Sequence, residues 1–347
     1  MRSVKAYAAP SATESLEPIT IDRRDLQRTD VLIEIKYSGV CHSDVNHARS
    51  LWQAEKYPLV PGHEITGIVA DVGSEVTKHK IGDRVAVGCM VDACGECPNC
   101  RQGEEQYCLK GITLTYGSID RFGQPTQGGY STHIVVTEDF VLKIPEGLGL
   151  DVTAPLLCAG ITTFWPLRHW GAGPGKRVAI VGLGGLGHVA VKIAHVMGAE
   201  VTVLSRSPSK RGDAFRLGAD HHYATSDPDT FEKLANSSDL VVNTVSSAMD
   251  LDAYMSLLGL GGVMANLGAP AEPMSINAWS ILRNRRVYTG SLIGSLSDTQ
   301  DMLDFCAEHN IGADVETIAI DQINDAFERL LASDVRYRFV IEIASLR

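Results

Sequence analysis

The sequence predicts an α/β protein that combines a β-rich domain with a doubly wound parallel sheet. Three observations favour this class. Short apolar runs separated by Gly, Asp and Pro fill residues 1–157, strand patterns alternate with helical patterns over 158–295, and a last strand pattern stands at 337–343. We therefore expect one domain to contain residues 1–157 with 296–347, and the other to contain residues 158–295.

The β-rich domain shows four strand patterns in succession, separated by turn-forming residues. They cover residues 31–37, 65–72, 84–87 and 133–136. Short strands punctuated in this way are typical of a sandwich or a barrel. The tail of the chain adds an amphipathic helix over 299–309 and the strand at 337–343, which could rejoin this domain.

The second domain begins with a continuous apolar run at 177–181, which is typical of a strand buried on both faces. Glycines and a helix over 188–197 follow. Further strand patterns cover residues 201–204, 240–245 and 262–267. Strands that alternate with helices predict a parallel sheet with right-handed crossover connections.

Composition narrows the class of protein further. The 347 residues carry a net charge of −11 and are 44% apolar and 21% charged. These values exclude a disordered chain, a collagen and a coiled coil, and the acidic balance argues against nonspecific nucleic-acid binding. The sequence shows no membrane-length apolar run and no signal peptide, so we expect a cytoplasmic protein. Its eight cysteines would be unusual as disulfides there, which favours metal binding or catalysis.

The strongest local motif is Cys-x2-Cys-x2-Cys-x7-Cys, formed by Cys94, Cys97, Cys100 and Cys108. Four thiolates can surround one Zn²⁺ and leave no position for water, so we expect structural zinc here. An iron–sulfur cluster is the alternative that four thiolates also suit. A zinc ribbon for nucleic acid is a further rival, but the neighbouring acids Glu96, Glu104 and Glu105 argue against it.

Three further candidates are scattered along the chain: Cys41, His63 and Cys158. Taken alone, a buried cysteine is usually a small apolar residue, and a histidine is usually hydrogen-bonded in the core. Together they could form an open zinc site, because catalytic zinc has three protein ligands and one exchangeable position. Such an ion polarises a carbonyl or acidifies a bound alcohol. Spacing alone does not join these residues.

A G-x-G-x-x-G pattern follows the buried strand and opens the next helix, with Gly182, Leu183, Gly184, Gly185, Leu186 and Gly187. This context indicates a dinucleotide site, and a glycine turn without ligand is the weaker alternative. An NAD site needs an acid about 20 residues further on. This chain instead has Ser205, Arg206, Ser207, Lys210 and Arg211. These residues suit a 2′-phosphate, so we expect NADP(H); for Lys210 or Arg211 a solvated helix start is the alternative.

Together these motifs resemble the zinc-dependent medium-chain alcohol dehydrogenases over essentially the whole chain. The branch that they resemble is the cinnamyl-alcohol-dehydrogenase-like, NADP-dependent aldehyde reductases. Besides the glycine loop, the branch motifs are Cys41-His42-Ser43-Asp44, Pro61-Gly62-His63-Glu64, Gln127-Gly128-Gly129-Tyr130, Cys158-Ala159-Gly160-Ile161-Thr162 and Gly290-Ser291-Leu292-Ile293-Gly294-Ser295. The resemblance implies a GroES-like catalytic domain that carries both zinc ions, interrupted by a Rossmann domain, and a homodimer.

The resemblance also implies roles for individual residues. Catalytic zinc would be held by Cys41, His63 and Cys158, with Glu64 as an alternate ligand and Asp44 orienting the His63 ring. Ser43 would pass the substrate proton onward. The cofactor would be contacted by His42, Ser43, Thr162, Thr244, Gly268, Ser291, Leu292 and Ile293. An apolar substrate pocket would be lined by Trp52, Leu292 and Ile293.

The implied reaction is reversible hydride transfer between NADPH and an aromatic or medium aliphatic aldehyde. A polyol or secondary-alcohol dehydrogenase is a rival within the class, and a non-catalytic zinc- and dinucleotide-binding protein is a rival from another class. The chain departs from the family at one point, because Asn46 stands where a His commonly ends the proton relay. Either the adjacent His47 takes part, or ribose and water complete the path, or turnover depends differently on pH. For Cys89 and Cys306 we expect packing roles, with a position facing the cleft as the alternative for Cys89.

Overall fold

The computed structural model describes residues 1–270 and 272–346. The chain divides into a β-rich unit, made of Met1–Cys158 with Gly294–Arg347, and an α/β unit, made of Ala159–Ile293. The sequence places these boundaries one residue earlier at the first crossing and two residues later at the second. Cys158 lies in the β-rich unit because it ends a helical turn of that unit, and Ser295 does so because it caps the next helix there.

The first part of the β-rich unit contains β1 (Arg2–Ala8), β2 (Glu17–Arg23), β3 (Asp30–Val40), α1 (His42–Ala48), β4 (Ile65–Val72), β5 (Arg84–Val87), β6 (Met90–Asp92), α2 (Pro98–Arg101), β7 (Thr113–Leu114), β8 (His133–Thr137), β9 (Leu142–Lys143) and α3 (Leu150–Thr153). The α/β unit contains α4 (Ala159–His169), β10 (Arg177–Val181), α5 (Gly187–Val196), β11 (Glu200–Ser205), α6 (Arg211–Arg216), β12 (His221–Ala224), α7 (Thr230–Lys233), β13 (Ser238–Asn243), α8 (Leu251–Ser256), β14 (Leu258–Asn266), α9 (Ala278–Leu282) and β15 (Val287–Gly290). The chain returns to the β-rich unit with α10 (Leu296–Glu308), β16 (Val315–Ala319), α11 (Ile323–Leu331) and β17 (Arg338–Glu342). Short 3-10 helices cover Glu105–Tyr107, Glu138–Phe140, Ala154–Leu157, Pro208–Lys210, Arg283–Arg285, Ile320–Gln322 and Ile343–Ser345.

The β-rich unit is organised around β3, whose apolar residues are buried in the core. This strand belongs to a seven-stranded sheet of order β16-β17-β3-β4-β5-β9, and β8 also pairs with β3. Strand β17 comes from the end of the chain and pairs antiparallel with β3, with Phe339 opposite Val40. The last strand therefore rejoins this unit, and it places Arg338 near the end of β3 from which α1 begins.

The α/β unit is a six-stranded parallel sheet of order β12-β11-β10-β13-β14-β15. Strand β10 is central, and Val178, Ala179, Ile180 and Val181 are buried. The strand order reverses between β10 and β13, and the glycine loop follows the carboxyl end of β10. Open α/β sheets bind ligands at such a reversal point.

Among the bounds that differ from the sequence prediction, two have a local hydrogen bond as their reason. The strand predicted over 240–245 ends at Asn243, because the Asn243 side chain accepts the backbone N–H of Val245 (3.1 Å) and turns the chain. The helix predicted over 299–309 begins at Leu296, because the Ser295 hydroxyl accepts the Asp298 N–H (3.0 Å) as an N-cap.

No single helix within residues 1–270 and 272–346 has the length and hydropathy needed to cross a membrane. The helices Leu150–Leu157 and Ala159–His169, which are bent relative to each other at Cys158, are together long and apolar enough to do so by length and composition only.

Candidate active site and cofactor site

Four metal-ligating side chains meet in the β-rich unit: Cys41, His63, Glu64 and Cys158. Their ligand atoms all lie within 4.8 Å of one another. Cys41 is the residue between β3 and α1, His63 and Glu64 directly precede β4, and Cys158 follows the 3-10 helix Ala154–Leu157. The sheet thereby brings together two thiols that lie 117 positions apart in the sequence.

Asp44 fixes the geometry of this group from the first turn of α1. Its buried carboxylate accepts the backbone N–H groups of Cys41 (2.8 Å) and Gly62 (3.0 Å). It also lies 3.0 Å from Nδ1 of His63, which leaves Nε2 as the ligand atom. Burial opposes a charged imidazole, but the Asp44 carboxylate outweighs it and raises the pKa of His63 well above its usual value.

The two thiols of the group are coupled to each other. The Sγ atoms of Cys41 and Cys158 are 4.0 Å apart. Two Zn–S bonds of about 2.3 Å at a tetrahedral angle place their sulfur atoms slightly less than 4 Å apart, so the spacing fits zinc. The hydrogen bond between the thiols lowers the pKa of Cys41 well below its usual value and raises that of Cys158 well above it.

Sequence reasoning missed Arg338, which lies against Glu64. The Arg338 guanidinium is 3% exposed and donates to Oε1 of Glu64, which is itself fully buried. Burial raises the pKa of Glu64 to about 8, although Arg338 opposes that rise. Oε2 of Glu64 has no hydrogen-bond partner within the described residues. An arginine in the otherwise apolar run 337–341 was the signal in the sequence.

Two buried tyrosines contact this group of side chains, and no role was predicted for either of them from the sequence. The Tyr116 hydroxyl lies 3.3 Å from Nδ1 of His63, and the Tyr130 hydroxyl donates to Asp44 (3.2 Å). Ser43 lies on the other side, with Oγ 3.7 Å from the Cys41 thiol. The next residue toward the chain start, His42, is exposed at the first position of α1.

The remaining two cysteines lie in different surroundings. The Cys89 thiol donates to the carbonyl of Leu157 (3.8 Å), the residue before Cys158, so it borders the four-residue group. Cys306 is fully buried in α10 and contacts the sulfur of Met302 (3.7 Å). Cys306 therefore has the packing role expected, whereas Cys89 has a position next to a ligand atom.

A second group of ligands consists of four thiols within one loop, Cys94, Cys97, Cys100 and Cys108. Backbone N–H groups point at the sulfurs: Cys97 N–H donates to Cys94 (3.3 Å) and Cys100 N–H to Cys97 (3.5 Å). The N–H groups of Cys100 and Leu109 lower the pKa of Cys97 to about 6, and burial raises the pKa of Cys100 to about 12. Such N–H···S hydrogen bonds stabilise the ionised thiolate form of a cysteine, which is the form that binds metal.

The glycine loop of the α/β unit has the backbone that a pyrophosphate requires. Gly182 has φ +91°, and a Cβ on Gly187 would lie 2.0 Å from the Gly182 carbonyl oxygen. A Cβ on Gly184 would meet nothing within 4 Å, so the backbone there is open to a ligand. The Thr244 hydroxyl donates to the Val181 carbonyl (2.8 Å) and borders the loop.

The residues predicted to bind a 2′-phosphate follow the end of β11 and differ in exposure and in hydrogen bonding. Arg206 is exposed, and no ion pair of Arg206 occurs within the described part of the chain. The Ser205 hydroxyl is buried and bonded to His222 (2.8 Å), and the Ser207 hydroxyl bonds to Ser209 (2.8 Å). The Lys210 ammonium donates to the Leu183 carbonyl (2.7 Å), so it contacts the glycine loop.

The other predicted contact residues of the α/β unit are spread over several elements. Thr162 is buried in α4, and a Cβ on Gly268 would clash with the Val245 carbonyl oxygen. The Ser291 hydroxyl is buried without a partner among the described residues, and Leu292 is 54% exposed. Ile293 has a positive φ of 41°. In the β-rich unit, Trp52 is 50% exposed.

These features define a class of protein. A buried Cys₂His set with a hydroxyl beside it suits a catalytic metal, a Cys₄ loop suits a structural metal, and the glycine loop suits a dinucleotide. A fold that combines them is that of a metal-dependent dehydrogenase.

Comparison with known proteins identifies the family. Residues 27–146 match the family model described as the alcohol dehydrogenase GroES-like domain, and residues 185–308 match that described as zinc-binding dehydrogenase. The chain is 60% identical to NADP-dependent alcohol dehydrogenase C 1 of Mycolicibacterium smegmatis, with both chains fully covered. It is 50% identical to the aldehyde reductase YahK of Escherichia coli K12, over 99% of both chains.

A solved structure agrees. The cinnamyl alcohol dehydrogenase SbCAD4 of Sorghum bicolor superposes with a TM-score of 0.96 at 42% identity, covering 99% of this chain and 98% of that one. The chain therefore belongs to the zinc-binding, GroES-like alcohol dehydrogenase family, and the predicted GroES-like plus Rossmann fold class is confirmed.

Proposed function

We propose that this enzyme is a zinc-dependent, NADP(H)-linked aldehyde reductase that also oxidises the corresponding alcohols. The observation that carries the proposal is the buried donor set of Cys41, His63 and Cys158, with the Ser43 hydroxyl next to Cys41. A protein that only bound zinc and a dinucleotide would have no need to keep both the open donor set and the hydroxyl.

We assign two zinc ions to each chain. Cys41, His63 and Cys158 would hold the catalytic ion with Glu64 as the alternate ligand, and the structural ion would be held by Cys94, Cys97, Cys100 and Cys108. When bound, the catalytic ion supplies Lewis acidity toward a carbonyl oxygen, and NADPH supplies the hydride.

The side chains around the proposed ion orient its ligands and transfer the substrate proton. Asp44 keeps the His63 ring in its ligating orientation through the 3.0 Å contact to Nδ1. Arg338 orients the buried Glu64 side chain, because its guanidinium donates to Oε1. In reduction, the Ser43 Oγ–H donates a proton to the substrate oxygen, and in oxidation Oγ accepts it.

We place the NADP(H) pyrophosphate at Gly182–Gly187 and the 2′-phosphate at the end of β11. Arg206 supports this placement because it is exposed and forms no ion pair with any of the described residues, and Ser205, Ser207 and Lys210 flank it. Further contacts would come from His42, Ser43, Thr162, Thr244, Gly268, Ser291, Leu292 and Ile293. The Ser291 hydroxyl, which is buried without a hydrogen-bond partner among the described residues, supports a polar ligand there.

Aromatic and medium aliphatic aldehydes are the proposed substrates. Trp52, Leu292 and Ile293 would supply the apolar lining, and Trp52 and Leu292 have half or more of their surface exposed.

We propose a cytoplasmic homodimer. Edge strand β15 is unpaired on one side in the sheet order, and apolar side chains are exposed near it, with Leu260 72%, Trp279 65% and Leu282 63% exposed. Light scattering tests the dimer directly.

The proposed function is tested by measuring the rate of NADPH oxidation with benzaldehyde, cinnamaldehyde, a medium aliphatic aldehyde and a ketone. The same assay is run in parallel with NADH in place of NADPH. We expect turnover of the aldehydes with NADPH and weak turnover with NADH. Arg206→Ala should raise the KM for NADPH about tenfold and leave that for NADH unchanged, since one charge-assisted phosphate contact is lost. A preference for NADH, or silence with every carbonyl in protein that holds two zinc ions, would contradict the proposal.

A further inference from the structure

His47 and Glu55 form a buried pair that the proposed reaction does not use. Nδ1 of His47 lies 2.6 Å from Oε1 of Glu55, and the two side chains are 11% and 2% exposed. His47 lies in the last turn of α1, next to Asn46, and Glu55 lies in the segment between α1 and β4. Burying a carboxylate and an imidazole costs free energy unless the two groups pair. We therefore expect the His47–Glu55 contact to persist in the folded protein.

The imidazole of His47 contacts two aromatic rings. Trp52 meets it edge to face at a ring-centroid distance of 5.4 Å, and Tyr116 does so at 5.3 Å. Tyr116 in turn contacts His63, with its hydroxyl 3.3 Å from Nδ1. The indole of Trp52 is therefore connected to a proposed metal ligand through two packed side chains, while half of its surface stays exposed.

Glu55 is held from several directions, so it acts as a fixed anchor. Its backbone N–H donates to the Ser50 hydroxyl (3.2 Å), and the Gln53 amide donates to Oε1 (2.9 Å). The Ser50 hydroxyl also bonds to Tyr57 (2.7 Å). Gly117 packs so closely that a Cβ there would lie 2.9 Å from Oε2 of Glu55.

We propose that His47 and Glu55 are a positioning pair that fixes Trp52 and thereby sets the preference for bulky over small aldehydes. The proposal rests on the proposed function. Because Nδ1 of His47 is bound to Glu55 and its ring meets those of Trp52 and Tyr116 edge to face, His47 serves to position Trp52. It does not take over the proton relay from the position of Asn46.

A double-mutant cycle tests the pair, using His47→Ala, Glu55→Ala and the double variant. Each single variant should lower kcat/KM for benzaldehyde about tenfold, through KM, and change that for a two-carbon aldehyde less than about twofold. The double variant should be no worse than either single variant, because the same contact is lost. Glu55→Gln keeps an acceptor and should recover most of the loss. Lys56→Ala, an exposed neighbour of Glu55, is the matched control and should behave as the wild type.

A second readout does not depend on turnover. Acrylamide quenching of Trp52, taken as the difference from Trp52→Phe in each background, should rise in both single variants while the zinc content stays at two per chain. If quenching is unchanged in both, the pair does not fix Trp52, whether or not the wild type reduces aldehydes. If His47→Ala lowers kcat for every aldehyde while Glu55→Ala does not, His47 is a proton carrier and the proposal is wrong. If the wild type is inactive but quenching rises as stated, the proposed function fails and the positioning role stands.

Discussion

The two thiol-rich centres of this molecule are built in opposite ways. The four-cysteine centre is assembled within one loop, where Cys94 and Cys108 are 14 positions apart and backbone N–H groups point at the sulfurs. The Cys41, His63 and Cys158 centre is assembled by the sheet, across 117 positions. Its charges are balanced by buried side chains such as Asp44 and Arg338. The first centre thus depends on a local loop and the second on the whole β-rich unit.

Loss of one ligand from the open centre should give the largest effect of all. In Cys158→Ala, we expect the zinc content to fall from two ions to one and kcat/KM to fall about a thousandfold, since several kcal/mol of transition-state stabilisation disappear. The melting temperature should change little. Cys306→Ala is the control, because Cys306 is buried away from both centres and should keep both ions and the activity. Zinc analysis with steady-state kinetics decides the outcome, and full activity with one ion would refute the assignment.

The same change in the closed centre should act on stability instead. Cys100→Ser should also cost one zinc ion, but we expect the melting temperature to fall by about 10 °C, because metal-linked folding energy is lost from the loop. Protein that is still folded at low temperature should keep kcat within a few-fold of the wild type. Calorimetry and kinetics on one preparation test this, and an equal collapse of kcat would show that the centres are not separable.

The support around the open centre can be weakened without touching a ligand. Asp44→Asn replaces the carboxylate that faces Nδ1 of His63, so we expect zinc affinity at the open centre to drop about 10- to 100-fold. The closed centre should be unaffected, because its sulfurs are held by backbone N–H groups of its own loop. Competition with a chelator measures both affinities separately. A parallel drop at both centres would mean general unfolding rather than loss of ligand orientation.

The rim of the closed centre should give the smallest effect. Lys110 and Glu96 form an exposed pair there, and the hydrogen bond from Lys110 lowers the pKa of Glu96. Because the folded pKa lies below the unfolded value of about 4.3, any stability from the pair is present above that pH and is lost as pH falls further. Exposure makes the contribution slight, so Glu96→Gln should melt as the wild type does at pH 7 and at pH 4. A clear loss at pH 7 alone would show that the pair supports the loop.

The contrast also explains what the sequence can and cannot predict. Periodicity located strands such as Ile65–Val72 and Arg177–Val181 to the residue, because alternating and continuous burial leave different patterns. The four-cysteine spacing and the glycine loop are equally local. Arg338 and Tyr116 were not found, because their positions beside the open centre depend on strand pairing and packing that sequence spacing does not encode. The pair of His47 and Glu55 was missed for the same reason, although His47 itself was noticed.

The most direct test of the account is selective removal and return of the ion at the open centre. A small chelator should strip one zinc per chain while the second remains in the four-cysteine loop, and the protein should stay folded. We expect NADPH-dependent reduction of benzaldehyde to disappear with the first ion and to return in proportion as zinc is added back. Activity that persists in protein with a single zinc in the four-cysteine loop would contradict the central claim that Cys41, His63 and Cys158 form the catalytic centre.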